Sequence, residues 1–217
     1  MMIKIRSRAI TSLFILAPLC LSLTGCLGGG SKNSLRYYLV YPVPVAGDEI
    51  DTQRQLAIEL IDLHIPQYLE RFQMVTRSGD NQLRFSDSNQ WGEPLRKNLL
   101  RTLAINLATR LSTIDIGTPL NRSSSLPDYR IHIHLGQFET DSYGRVQLSG
   151  RWQLTGADEK ELGMYYASLQ SDDKIEPGDY DQIVADMQEL FGEFCDQIAA
   201  SIRKMEDRDQ QDENELP

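Results

Sequence analysis

The spacing of apolar residues along the chain predicts two amphipathic helices. After Pro94, leucines recur every four residues, which places them on one stripe of a helix; they are Leu95, Leu99, Leu103, Leu107 and Leu111. Pro94 suits the first turn, where its missing N–H costs no helical hydrogen bond. A second apolar face runs from about residue 180 to 203 and carries Ile183, Met187, Leu190, Phe194, Ile198 and Ile202.

The segments between and before these helices have the patterns of β-strands. Alternating or β-branched apolar residues predict strands at 35–41, 56–60, 72–77, 82–86, 129–138, 145–154 and 162–169. The sequence Ser-Gly-Asp-Asn at 78–81 predicts a hairpin turn, and the Ser-, Thr- and Pro-rich segment 114–127 predicts a polar loop. This order predicts an α/β fold with a mixed, largely antiparallel sheet and two main amphipathic helices packed on it.

The N-terminal segment predicts a lipoprotein signal peptide over residues 1–25. Three basic residues precede the apolar run 9–23, whose length of about fifteen residues falls short of the roughly twenty that a membrane-spanning helix needs. The run ends in Leu-Thr-Gly-Cys at 23–26, which matches a lipobox. We predict cleavage before Cys26 and lipid attachment to its sulfur, which fixes the chain to a membrane through its acyl chains. A plain signal peptide, or a short anchor helix with a chance cysteine, is the alternative.

The remaining chain divides into a tether, one domain and a tail. Residues 26–34 hold the lipidated cysteine and a Gly/Ser-rich tether with a root-mean-square span of roughly 16 Å, and residues 35–204 have the length of one domain. Residues 205–217 are almost wholly charged or amide and predict an acidic disordered tail. Loss of the three basic residues of the signal peptide shifts the net charge from −9 to −12, which argues against nucleic-acid binding and against a polybasic contact with a membrane.

Candidate catalytic residues are few. His132 and His134 share one face of a predicted strand and could share a metal ion, but an exposed polar sheet face is the favoured interpretation. Cys195 could be a nucleophile or form an intermolecular bridge, although its place in an apolar helical pattern favours a buried structural role. Glu70 and Arg71 favour a structural ion pair over an acid/base pair. With no known nucleophile or nucleotide-binding motif, we predict no catalytic residue, no metal and no cofactor.

Two motifs and a hairpin between them, in the middle of the chain, resemble a known family. Pro-Gln-Tyr-Leu-Glu-Arg at 66–71 is followed by an Asn-x-Leu hairpin at 81–83 and by Trp-Gly-Glu-Pro-Leu at 91–95. The set is similar to the ABC-type transport auxiliary lipoprotein component family, and the resemblance covers about residues 35–203. Two positions depart from the family pattern: Glu70 replaces an aspartate, and Gln90 stands where a basic residue is expected.

The resemblance implies a non-catalytic accessory role in transport. Such lipoproteins face the periplasm and accompany systems built around MCE-domain proteins and their inner-membrane partners, which carry lipids or other apolar molecules between membranes. The candidate partner-contact residues are Tyr68, Leu69, Arg71, Trp91 and Glu93. For Trp91, packing of the helix onto the sheet is the favoured alternative, Leu69 could have the same role, and Arg71 fits contact or loop shaping equally well.

The sequence also predicts the membrane to which the protein is attached and leaves two alternative functions open. Leu27 follows the predicted lipidated cysteine, where an aspartate would favour retention in the inner membrane, so we expect attachment to the outer membrane with the domain in the periplasm. A homo-oligomer is compatible with the sequence. The alternative functions are a periplasmic lipoprotein that binds lipid or a small molecule, and a structural lipoprotein that maintains the envelope.

Overall fold

The computed structural model describes residues 34–44, 56–123 and 125–214. Cys26, the predicted signal peptide and nearly all of the tether lie outside them. The elements in chain order are β1 (Arg36–Tyr38), β2 (Ile58–His64), β3 (Gln73–Gly79), β4 (Gln82–Trp91), α1 (Leu95–Arg110), β5 (Ile116–Gly117), β6 (Tyr129–Thr140), β7 (Val146–Gly156), β8 (Glu161–Gln170) and α2 (Tyr180–Asn214). Among the described helices, none is both long and apolar enough to cross a membrane.

The strands form one mixed sheet built around β6. One edge of β6 pairs along its length with β7, which in turn pairs with β8, and both pairings are antiparallel. The other edge pairs in parallel first with β2 and then, at its last residue Thr140, with Thr76 in the middle of β3. The β3–β4 hairpin is antiparallel, and the short strands β1 and β5 add in parallel to β4 and β2. The predicted α/β fold with a mixed, largely antiparallel sheet is confirmed.

Both helices contribute to a core on one face of the sheet. The predicted leucine stripe of α1 is buried throughout. On α2, Phe194 packs edge-on against Trp152 of β7 at 5.3 Å between ring centroids, and the Trp152 indole donates to the Ser201 hydroxyl at 3.0 Å. Burial of such large side chains is the main favourable term in folding, at about 25 cal/mol per Å² of apolar surface.

A second stripe on α1 is polar and buried, which the leucine pattern did not predict. Asn98 accepts from the Val40 N–H at 2.7 Å and donates to its carbonyl at 3.0 Å, and Thr102 donates to the same carbonyl at 2.8 Å. One turn further on, Asn106 accepts from the Val43 N–H at 3.0 Å. These side chains satisfy main-chain groups that would otherwise be buried unpaired.

That polar stripe explains why β1 is shorter than predicted. The sequence predicts a strand over 35–41, but only Arg36–Tyr38 pairs with β4. From Val40 onward, the main chain leaves the sheet and bonds to α1 side chains instead. The predicted polar loop 114–127 likewise holds one short strand, Ile116–Gly117, because the N–H of Ile58 at the start of β2 donates to the Asp115 carbonyl at 2.9 Å.

The prediction of a disordered tail from residue 205 is wrong for its first ten residues. Helix α2 continues from Tyr180 to Asn214, and Met205 is buried on the apolar face that also carries Ile202. The segment holds two Glu, two Gln and one Arg, which have high helix propensity, beside three Asp, which do not, so it mainly extends a helix already nucleated by packing. Charge composition alone therefore did not predict this extension of the helix.

Candidate functional site

The loop that carries the first motif is anchored by its apolar residue. Residues Gln67–Leu69 form one turn of 3-10 helix after Pro66, and the Leu69 N–H donates to the Pro66 carbonyl at 2.9 Å. This turn directs Leu69 into the core, where it exposes 2% of its surface. The next three residues, Glu70, Arg71 and Phe72, remain exposed.

A buried carboxylate holds the other side of the same loop. Glu139 of β6 exposes 1% of its surface and accepts from Arg77 Nε at 2.7 Å and from the Tyr68 hydroxyl at 2.9 Å. The Phe138 N–H also donates to this carboxylate at 2.8 Å. Burial and the neighbouring carboxylate raise the pKa of Tyr68 well above its usual value, so its hydroxyl stays protonated and remains a donor.

Arg71 lies on the surface with its guanidinium over an aromatic ring. Its Cζ is 5.0 Å from the centroid of the Phe85 ring, a cation–π contact across β4. Glu70 does not pair with Arg71, since its carboxylate approaches Arg96 of α1 at 3.9 Å. A shallow groove of about 480 Å³ lies here, lined by Gln67, Tyr68, Glu70, Arg71 and Phe85. We call these five residues together with Phe72 the loop surface.

The second motif lies at the junction of β4 and α1. Trp91 exposes 3% of its surface and belongs to the core. Its main-chain N–H donates to the Phe72 carbonyl at 2.7 Å. Glu93 is half-buried, and its Oε1 lies 2.5 Å from Arg101 Nη2 two turns along α1. Hydrogen bonding to Glu93 raises the pKa of Arg101. Both motif residues thus fix how the helix leaves the sheet.

The five predicted contact residues therefore separate into two groups. Leu69 and Trp91 are buried, which supports the core-packing role that was their alternative, and neither side chain presents a surface to a partner in this conformation. Arg71 is exposed, Tyr68 forms part of the groove wall, and Glu93 is half-exposed in an ion pair. The sequence did not identify Phe85, the platform for Arg71, although Leu83 and Phe85 alternate along β4 in a way that places them on one face.

The candidate histidines and Cys195 lie on opposite sides of the sheet in the described part of the chain. His132 and His134 lie on the sheet face away from the helices, and His132 and His64 contact opposite oxygens of Asp62 at 3.4 and 3.0 Å. No group of three or more His, Cys, Asp or Glu among the described residues is arranged to hold a metal ion. Cys195 is fully buried and receives a hydrogen bond from Asn106 Nδ2 at 3.5 Å. Burial raises the pKa of its thiol to about 12, which disfavours the thiolate.

The described chain is thus one mixed sheet with two helices on one face, and its motif residues shape a surface loop and the start of α1. The family comparison identifies this class of domain. The family model of the ABC-type transport auxiliary lipoprotein component matches residues 37–199, and the chain belongs to this family. The resemblance seen in the two motifs is confirmed.

Named relatives support this assignment, and two solved structures have a similar fold. The intermembrane transport lipoproteins PqiC of Escherichia coli and Shigella flexneri are each 25% identical over 133 residues, 61% of this chain and 68% of theirs. A crystal structure of a Xanthomonas campestris protein has a TM-score of 0.60 at 13% identity and covers 82% of this chain and 97% of its own. A crystal structure of an uncharacterized protein has a TM-score of 0.59 at 21% identity, covering 78% and 99%. The two structures share the fold.

Proposed function

We propose that the chain is a docking subunit of an intermembrane transport system and that it contacts an MCE-domain protein through the loop surface. The proposal is supported by family membership and by the PqiC relatives, whose name describes intermembrane transport. The exposed guanidinium of Arg71, which lies over the Phe85 ring, supports the loop surface as the place of contact. The next residue, Phe72, is also exposed. Arginine and aromatic residues are enriched at interface hot spots.

The role we propose is accessory rather than catalytic. In this view the MCE-domain protein and its inner-membrane partners move the lipid or other apolar cargo. This lipoprotein holds or positions those transport proteins at a membrane. The buried thiol of Cys195 and the buried, fully paired Glu139 fit structural roles, because neither is accessible to a substrate.

Charge reversal at Arg71 tests the loop surface. Arg71→Glu should weaken binding to the periplasmic part of the MCE-domain protein by about 2 kcal/mol, which is roughly 30-fold in Kd, if the residue is a hot spot. Loss of the exposed cation–π contact should lower the free energy of unfolding by only about 0.5–1 kcal/mol. Surface plasmon resonance and thermal unfolding of the lipoprotein in nanodiscs measure the two effects separately.

Arg145→Glu is the matched control for this experiment. Arg145 is exposed on the β6–β7 turn, is not one of the loop-surface residues, and carries the same change of charge. It should leave both affinity and stability nearly unchanged. If Arg71→Glu lost no affinity, or lost it only together with the fold, the loop surface would not be the contact.

We also propose that the protein is attached to the outer membrane by lipid on Cys26, with the domain in the periplasm. Leu27 supports this, because an aspartate at that position would favour retention in the inner membrane. Density fractionation of cells should place the protein with outer-membrane markers, and Cys26→Ala should abolish lipidation and that position in the gradient. Recovery mainly with inner-membrane markers would contradict the proposed location.

A further inference from the structure

A second cleft lies on another part of the domain, where the β6–β7 turn, the segment before α2 and the β3–β4 hairpin meet. It has a volume of about 450 Å³ and is lined by residues that include Arg84, Thr140, Tyr143, Lys174, Ile175 and Glu176. Arg84 and Phe85 are neighbours on β4 and therefore point to opposite faces of the strand. The cleft and the loop surface thus use different faces of the same hairpin.

The walls of this cleft are fixed by main-chain hydrogen bonds. The Ile175 N–H donates to the Gly144 carbonyl at 2.8 Å, which ties the segment before α2 to the β6–β7 turn. Gly144 has φ +87°, and a Cβ added there would lie 2.8 Å from the Ile175 carbonyl oxygen. The turn itself is closed by the Asp141 N–H, which donates to the Arg145 carbonyl at 2.8 Å. The cleft is therefore pre-formed rather than opened by a ligand.

The charges in the cleft leave two cations available. Arg84 and Lys174 are exposed and have no ion-pair partner among the described residues, whereas the Arg77 guanidinium is held by Glu139. Of the two acids in the lining, Asp141 already accepts from two main-chain N–H groups and from Gln147 at 2.9 Å. Both lining carboxylates, Asp141 and Glu176, would oppose an anion, and Glu176 is exposed.

The rest of the lining mixes apolar side chains with hydroxyl side chains, which include Thr76, Ser78, Ser142 and Thr140. Ile175 and Ile183 are buried at the base of the cleft, and the Tyr143 ring is 73% exposed at its rim. The Thr140 hydroxyl is buried and has no hydrogen-bond partner among the described residues. Buried hydroxyls are usually paired, so the base of the cleft is suited to a ligand with both polar and apolar parts.

The position of the cleft relative to the tether points to a membrane ligand. Arg36, two residues after the tether, lies 3.6 Å from Asp181 in the first turn of α2, and the adjacent Tyr180 lines the cleft. Arg36 follows Cys26 by ten residues in the sequence. An anchor at Cys26 would therefore keep this end of the domain near the lipid headgroups.

We propose that this cleft binds the phosphate headgroup of an anionic phospholipid from the membrane that anchors the chain. Arg84 and Lys174 contact the phosphate oxygens, and the wall of Ile175, Ile183 and Tyr143 accommodates the glycerol and the first acyl carbons. Tyrosine suits this position because its ring is apolar and its hydroxyl remains in water. The site depends on the lipid anchor but not on the MCE-domain partner, so either proposal can fail without the other.

Hydrogen–deuterium exchange on the lipidated protein in nanodiscs tests the site. We compare discs of phosphatidylcholine with discs that also contain phosphatidylglycerol. Main-chain amides of residues 141–145 and 172–180 should exchange about threefold more slowly with phosphatidylglycerol, which is the effect of a ligand at about twice its Kd. Equal exchange in the two kinds of disc would overturn the proposal.

Two further arms identify the ligand and the residues. Inorganic phosphate added to phosphatidylcholine discs should give no protection; protection equal to that of phosphatidylglycerol would mean a free phosphate site and would overturn the lipid assignment. The double variant Arg84→Gln with Lys174→Gln should lose the protection. Lys160→Gln, an exposed residue on the β7–β8 turn, should keep it. Protection that survives the double variant, or is lost with Lys160→Gln, would show general attraction to the membrane instead of this site.

Discussion

Arg77→Ala should destabilise the domain by about 3 kcal/mol, because it leaves the Glu139 carboxylate buried without its cation. The range for breaking a buried pair is about 3–5 kcal/mol, and we take the lower end since Arg77 keeps 24% of its side-chain surface in water. For a domain of this size the melting temperature should fall by roughly 9 °C. Thermal unfolding followed by circular dichroism measures the shift.

Two further variants test whether the loss comes from the unpaired buried charge or only from shortening an arginine side chain. Arg84→Ala removes an unpaired arginine from the neighbouring strand and should change stability by less than about 0.5 kcal/mol. Replacing both partners, Arg77→Met with Glu139→Met, should recover much of the loss because no charge is then left buried. A melting temperature within about 2 °C of the wild type for Arg77→Ala would mean that the pair does not hold the loop.

Phe194→Ala should lower the free energy of unfolding by about 3–5 kcal/mol, because it removes a large ring from the centre of the core. The ring is fully buried and contacts Trp152 edge-on and Phe191 at 6.3 Å between centroids. Its removal leaves a cavity between α2 and the sheet. Urea unfolding should show a lower midpoint with an unchanged slope, and Phe72→Ala, at a half-exposed position, should cost far less.

Gly150 gives an internal check on that packing. A Cβ added at Gly150 would lie 3.1 Å from the Phe194 ring and 2.8 Å from Leu135 Cδ2. Gly150→Ala should therefore destabilise the wild type but cost less in the Phe194→Ala background, where space has been made. Strictly additive costs would contradict this contact between β7 and α2.

The features that the sequence predicted best are those with a simple period. The leucines of α1 recur every four residues, and the buried residues of β6 and β7 mostly alternate with more exposed ones. Each of these elements could therefore be predicted from one repeating pattern. The order in which β6 pairs with both β2 and β3 could not be predicted, because it depends on contacts between residues far apart in the chain. The polar stripe of Asn98, Thr102 and Asn106 was missed for a related reason: its role appears only when the main chain at 40–43 is placed against it.

The candidate site was predicted in outline rather than in detail. The family motifs located the loop, but a motif does not distinguish residues that face the core from residues that face a partner. Leu69 and Trp91 are buried, while Arg71 is exposed on Phe85, and only the structure separates them. The cleft between Arg84 and Lys174 was not predicted, since its two cations are about ninety residues apart in the sequence and belong to no motif.

The central claim is that this lipoprotein binds an MCE-domain protein, and a direct titration tests it. The lipidated protein in phosphatidylcholine nanodiscs is immobilised, and the purified periplasmic part of the MCE-domain protein is passed over it. We predict saturable binding that is about 30-fold weaker for Arg71→Glu and unchanged for Arg145→Glu. Absence of saturable binding by the folded wild-type protein would contradict the account.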